Sequence, residues 1–180
     1  MRLLRENTTA LFIDIQEKLF PAMAENEILL HNLQILLQGL TILEVPLTFT
    51  QQYTKGLGET IEELRSLVHS FSAIEKTDFS CYDENRYREQ LEQSQAKTVL
   101  ICGIESHVCV LQTAVDLKQA GYHPVVITDC ITSRSLINRQ GAIDRFRTEG
   151  ILMATYESLL FELTRSSQSE VFRMISKLVR

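Results

Sequence analysis

Tryptophan is absent from this 180-residue chain, proline occurs three times, glycine seven times, and the four cysteines include no C-x-x-C pair. Each shortage excludes something. With so little Pro and Gly and no repeat or low-complexity tract, no linker divides the chain, so residues 1–180 are expected to form one domain. Cys81, Cys102, Cys109 and Cys130 lie 21, 7 and 21 residues apart, a spacing that fits neither a zinc knuckle nor a dithiol redox motif. They are expected to be mostly reduced and buried. A chain of this length buries roughly 70% of its unfolded surface and holds a core without disulfides or a structural metal.

Long apolar runs are lacking as well. The stretch Val99–Ile104 is far below the roughly 20 residues of a membrane helix. The N-terminal Met1–Glu6 carries charge and leads straight into strand-like sequence, unlike a signal peptide. The expectation is a soluble, cytoplasmic protein with no membrane partner. Eighteen basic residues, scattered, face 23 acidic ones for a net charge of -5, so no basic face is expected for nucleic acid. Neither G-x-G-x-x-G nor the P-loop pattern occurs, and no cofactor is expected. Gly103-Ile104-Glu105-Ser106-His107 lacks the second glycine of a serine nucleophile elbow.

What is present is an alternation of short apolar or β-branched runs with amphipathic stretches. Strands are expected at Thr8–Asp14, Val45–Thr50, Phe71–Glu75, Thr98–Gly103, His123–Asp129 and Gly150–Ala154. Helices are expected over Glu25–Leu43, Glu59–Val68, Tyr82–Gln93, His107–Ala120 and Asn138–Thr148, with a helical tail from Glu157 to Arg180 that breaks near Ser166 and Ser167. Gly56–Gly58 reads as a loop. Six strands joined by helices imply an α/β fold, a doubly wound three-layer sandwich with a parallel sheet, commonly in the order 3-2-1-4-5-6.

In such a sheet ligands sit beyond the carboxyl ends of the strands where the order reverses, here between the first strand and the fourth. The first ends on Asp14, a carboxylate closing an apolar run, which needs partners and is either a cap or a functional acid. The fourth leads into Cys109 in the first turn of a helix, where the dipole and free N–H groups favour a thiolate with a lowered pKa and offer an oxyanion hole. Cys109 also has the plainer reading of a small buried apolar residue. Lys76 follows the third strand in a mixed-charge stretch and by itself reads as a solvated surface lysine. Asp129 and Cys130 close the fifth strand away from the switch point and read as structural.

Three segments carry a resemblance: Phe12-Ile13-Asp14-Ile15-Gln16, Glu75-Lys76-Thr77 with Phe79-Ser80, and Gly103 through Cys109 continuing as Val110-Leu111-Gln112-Thr113-Ala114. In order and spacing over nearly the whole chain, the sequence resembles the isochorismatase-like cysteine hydrolases, and among them the isochorismatase domain-containing subgroup. The resemblance implies a six-stranded parallel sheet, a catalytic triad of Asp14, Lys76 and Cys109, and a cis peptide at Ile104-Glu105 that aims the N–H groups of Glu105 and Cys109 at an oxyanion. It also implies a homo-oligomer, for which Val171, Phe172, Ile175, Leu178 and Val179 offer an apolar face that otherwise packs on the sheet. Gln16, Phe20, Tyr53, Phe79, Ser106 and His107 are candidates for the substrate pocket, each with ordinary packing or exposure as its alternative.

Two departures narrow the chemistry. Metal-binding relatives carry an Asp-x-His pair after the second strand, where this chain has Thr50-Gln51-Gln52-Tyr53-Thr54 with only His69 beyond it, so no metal is expected. Isochorismatases proper lack the nucleophilic cysteine, so Cys109 favours cleavage of a C–N bond in a small amide or carbamoyl substrate through a thioester. Vinyl ether hydrolysis and a non-catalytic binding protein remain the alternatives.

Overall fold

The computed structural model describes residues 2–180. The two most apolar runs, Thr8–Ile13 (β1) and Thr98–Ile104 (β4), are buried at every position, as strands are when helices cover both faces of a parallel sheet. They pair with each other in parallel from Thr8↔Thr98 to Ile13↔Gly103. Leu47–Gln52 (β2) and Ile74–Lys76 (β3) extend the sheet on one side, and His123–Thr132 (β5) and Leu152–Ala154 (β6) on the other. The order is β3-β2-β1-β4-β5-β6 with every pair parallel, so the switch point lies between β1 and β4.

One face of the sheet packs against Asn26–Ile42 (α1), Tyr156–Thr164 (α7) and Phe172–Leu178 (α8), through Leu33, Leu36, Leu40, Leu159, Leu163 and Ile175. The other packs against Asn85–Ser94 (α4), Leu111–Gln119 (α5) and Leu136–Thr148 (α6), through Tyr87, Leu91, Ala114, Leu117 and Phe146. Two single helical turns, Thr54–Leu57 (α2) and Glu62–Arg65 (α3), lie in the β2–β3 connection. At the switch point Gly103 has φ of 118°, and a Cβ there would overlap the Ile13 carbonyl oxygen, so β1 and β4 approach this closely only because the position is glycine.

Several local expectations are corrected. The strand expected to stop at Asp129 runs on to Thr132, because its pairing with β4 shifts register between Ile101 and Gly103 and absorbs the polar residues as an irregularity. The loop at Gly56–Gly58 begins as the turn α2, and the helix expected over Glu59–Val68 contracts to α3, since Gln16 pairs with Thr60 in an antiparallel bridge instead. The third strand lies later than Phe71–Glu75 and includes Lys76. The apolar residues of the last helix turn inward: Ile175 is fully buried and Val171, Leu178 and Val179 pack against the core.

Candidate active site

The carboxyl ends of β1, β2 and β3 and the segment after β4 bring one acid, one base and one thiol together. Asp14 is the first residue past β1, in a left-handed turn (φ 53°) that Asp tolerates better than most side chains, with its N–H donating to the Thr50 carbonyl at 3.2 Å. It is wholly buried, which an ionised carboxylate sustains only with partners. Thr50 Oγ1 donates to Asp14 Oδ1 at 2.8 Å, and Lys76 Nζ stands 2.7 Å from Asp14 Oδ2.

Lys76 is where the plain reading of the sequence fails. It is the last residue of β3 and only 2% exposed, because strand alternation puts it on the same buried side as Ile74 while Glu75 faces out. Its three protons have three acceptors: Gln52 Oε1 at 2.6 Å, the Asp78 carbonyl at 3.1 Å and the Phe79 carbonyl at 3.2 Å. The Asp14 contact is therefore an ion pair without a directed hydrogen bond, and Asp14 Oδ2 is left without an aligned donor. Burial by itself disfavours the Lys76 ammonium, but Asp14 beside it, then Cys81 and Cys109, outweigh that and hold its pKa above the ordinary value.

Cys109 is 7% exposed and lies in a π-helical turn, Ser106–Val110, that precedes α5. The expectation of a lowered thiol pKa is overturned. Burial comes first and the Asp14 carboxylate second in pushing the thiol up, and Lys76 only partly opposes them. The helix-dipole argument also weakens, since Cys109 sits in a wide turn and not in the first turn of α5. Cys109 thus rests as a thiol near the Asp14 carboxylate, whose charge is the second cause that raises it.

The Ile104–Glu105 peptide is cis, in agreement with the resemblance. The Glu105 carbonyl accepts from the Val108 and Val110 N–H groups at 3.1 and 3.3 Å and passes over Cys109. Among the described residues the Glu105 N–H has no acceptor. The segment is pinned from outside: the Glu105 carboxylate accepts from the Arg134 N–H at 3.1 Å and its Nε at 3.2 Å, and His107 Nδ1 meets Ser133 Oγ at 2.9 Å. Ser106 Oγ is buried without a partner.

The remaining pocket candidates divide. Gln16 is fully buried and spends its amide on protein, donating to the Gln52 and Gly58 carbonyls at 3.0 and 2.7 Å and accepting from the Gln52 N–H at 2.7 Å, so it is a structural tie. Phe20 is half-buried and packs against the core. Tyr53 and Phe79 are about half exposed at the ends of β2 and β3. Two broad grooves, of about 480 and 560 Å³, contain none of Asp14, Lys76 and Cys109. They are open surface, and the convergent polar chemistry lies at the switch point instead. No three His, Cys, Asp or Glu side chains converge as metal ligands do, among the described residues. Sequence reasoning missed Thr50, Gln52 and Cys81. Their roles depend on strand register, and the only available hint was the run of polar residues at the end of β2.

A model of the isochorismatase domain family matches residues 8–158. Isochorismatase domain-containing protein 2A of Mus musculus is 35% identical over 179 residues, covering 99% of this chain and 85% of that protein. Among solved structures, the MAR1 ribonuclease from Caenorhabditis elegans superposes with a TM-score of 0.93 at 29% identity, over 99% of this chain and 92% of that one. The YcaC gene product of Escherichia coli, described as an octameric hydrolase of unknown specificity, superposes with a TM-score of 0.93 at 21% identity, over 99% and 89%, a likeness of fold.

Proposed function

The chain belongs to the isochorismatase family of hydrolases, and from that premise we propose that it is a metal-independent cysteine hydrolase cleaving a C–N bond of a small amide or carbamoyl compound. The observation that carries the reading is the buried Asp14–Lys76 pair at 2.7 Å beside the buried Cys109 thiol. The Cys109 Sγ attacks the substrate carbonyl carbon as its proton passes to Asp14, so a thiol with a raised pKa becomes nucleophilic only when a substrate is in place. Lys76 offsets the negative charge shared between sulfur and carboxylate. The N–H groups of Glu105 and Cys109 receive the oxyanion. Asp14 returns the proton to the leaving nitrogen as the C–N bond breaks, leaving a thioester. Water then attacks the thioester, its proton goes to Asp14 and on to sulfur, and the acid departs.

Ribonuclease activity belongs to the C. elegans neighbour as described. Here a net charge of -5 and a triad cation already committed to Asp14 give phosphates little to bind. A homo-oligomer is part of the proposal: the octameric neighbour supports it, and Ile28 and Ile137 stand 59% and 82% exposed as apolar surface for it.

The test is a panel of small amides, carbamoyl compounds, a vinyl ether and RNA, with intact-mass trapping of the acyl-enzyme. Turnover of an amide or carbamoyl compound with a mass adduct on Cys109, abolished in Cys109→Ala, is expected. Turnover that survives Cys109→Ala, or that is confined to the vinyl ether or RNA, overturns the reading.

A further inference from the structure

A second buried thiol lies beneath the triad. Cys81 opens a 3-10 turn, Cys81–Asp83, and is fully buried, with Sγ 3.7 Å from Thr50 Oγ1, which is itself 2.8 Å from Asp14 Oδ1. A threonine hydroxyl has one proton, and an ionised carboxylate can only accept. That proton is therefore given to Asp14 Oδ1, and the sulfur contact acquires a single sense in which the Cys81 S–H donates to Thr50 Oγ1. Burial first and the Asp14 charge second push the Cys81 thiol up to about 11, with Lys76 opposing them, so the donor keeps its proton at neutral pH. The Cys81 N–H also donates to Thr113 Oγ1 at 2.9 Å, on the helix that continues from the Cys109 turn.

We infer that Thr50 and Cys81 are positioning residues for Asp14: a directed relay, Cys81 S–H to Thr50 O–H to Asp14 Oδ1, occupies one carboxylate oxygen and leaves the other, which faces Lys76, as the acceptor of the Cys109 proton. The inference rests on the triad reading above. The relay joins β1, β2, the turn after β3 and α5, so it fixes the carboxyl plane relative to the nucleophile from four elements. The titratable groups facing Asp14 are Lys76 from β3, Cys81 from the 3-10 turn and Cys109 from the π turn, and Thr50 is the neutral donor among them.

The experiment follows the rate of Cys109 alkylation by iodoacetamide against pH, mapped by peptide mass in the full chain. It compares the wild type with Thr50→Val, Thr50→Ser, Cys81→Ala, Cys81→Ser and Asp14→Asn. Thr50→Val, which removes the hydrogen bond that fixes the Asp14 carboxylate, lowers the rate several-fold across the series, and Thr50→Ser restores it. Cys81→Ala lowers it by less, and Cys81→Ser restores it. Profiles for Thr50→Val and Cys81→Ala that coincide with wild type, while Asp14→Asn slows alkylation, overturn the relay and leave the triad standing. An unchanged Cys81→Ala beside a slowed Thr50→Val removes Cys81 from it. An Asp14→Asn profile identical to wild type fails the triad itself. If Thr50→Val does not give a cooperative thermal melt, the comparison of Cys81→Ala with Cys81→Ser decides alone.

Discussion

Lys76 shows how much one side chain can commit. Its ammonium is buried against a buried carboxylate at 2.7 Å and has three further acceptors, so neither charge has solvent to fall back on. Removing one partner of such a pair leaves the other uncompensated and costs about 3–5 kcal/mol, whereas removing both costs much less than the sum. Lys76→Met is expected to lose that amount in urea unfolding at pH 7, and Asp14→Asn combined with Lys76→Met to recover a large part of it. Strictly additive costs would show that the two groups do not depend on each other.

At the scale of elements, the site is framed by two connections laid side by side. The segment after β1 and the segment between β2 and α3 are joined by the Gln16–Thr60 bridge, by Glu17 N–H to the Glu59 carbonyl at 2.9 Å and by Ile61 N–H to the Ile15 carbonyl at 3.0 Å. The Gln16 amide makes three hydrogen bonds, two with Gln52 at the end of β2 and one to the Gly58 carbonyl in the connection. Gln16→Leu leaves the Gln52 N–H and two carbonyls unpaired in a buried place, at a cost of about 3 kcal/mol. Hydrogen exchange is expected to speed up at Glu17, Gln52 and Ile61 while β4 stays protected. Unchanged protection at those three amides would remove Gln16 from the role.

Legibility follows the same division. The strands β1 and β4 are readable because burial on both faces makes them continuous apolar runs, and Asp14 and Cys109 are readable because the switch-point rule says where such strands end. The turns α2 and α3 have four residues each, too few for any periodicity to show. Lys76 entered through resemblance, although the alternation of Ile74, Glu75 and Lys76 carries a period-two signal once β3 is placed correctly. Thr50, Gln52 and Cys81 became visible only with register, because each acts across a strand boundary on a residue at least 24 positions away. The thiol pKa of Cys109 was misjudged in sign because the sequence locates a helix start but not the depth of burial or the carboxylate beside it.

For the whole molecule, the core keeps several buried thiols protonated. Cys81, Cys102 and Cys130 are buried free thiols, and burial raises the pKa of each, Cys81 to about 11 from 9.0. An unfolded thiol gives up its proton as pH passes about 9, while the folded one retains it, so the unfolded state binds fewer protons and stability falls as pH rises. For Cys81 alone the loss accumulates between pH 9 and 11 to about 2–3 kcal/mol. Lys76 acts in the same direction: its raised pKa contributes stability that is complete below 10.5 and lost as pH climbs through the folded value. Against a total of about 5–15 kcal/mol for a domain, these terms together dominate the alkaline side. The urea midpoint is therefore expected to hold steady from pH 6.5 to 8.5 and to drop steeply by pH 10.5. In Cys81→Ser, which removes the titrating thiol and keeps the hydrogen-bond donor, the drop between pH 8.5 and 10.5 should be smaller. A wild-type midpoint that stays flat to pH 10.5 would mean that the thiols are not held in the protonated, water-free core that the fold builds around them.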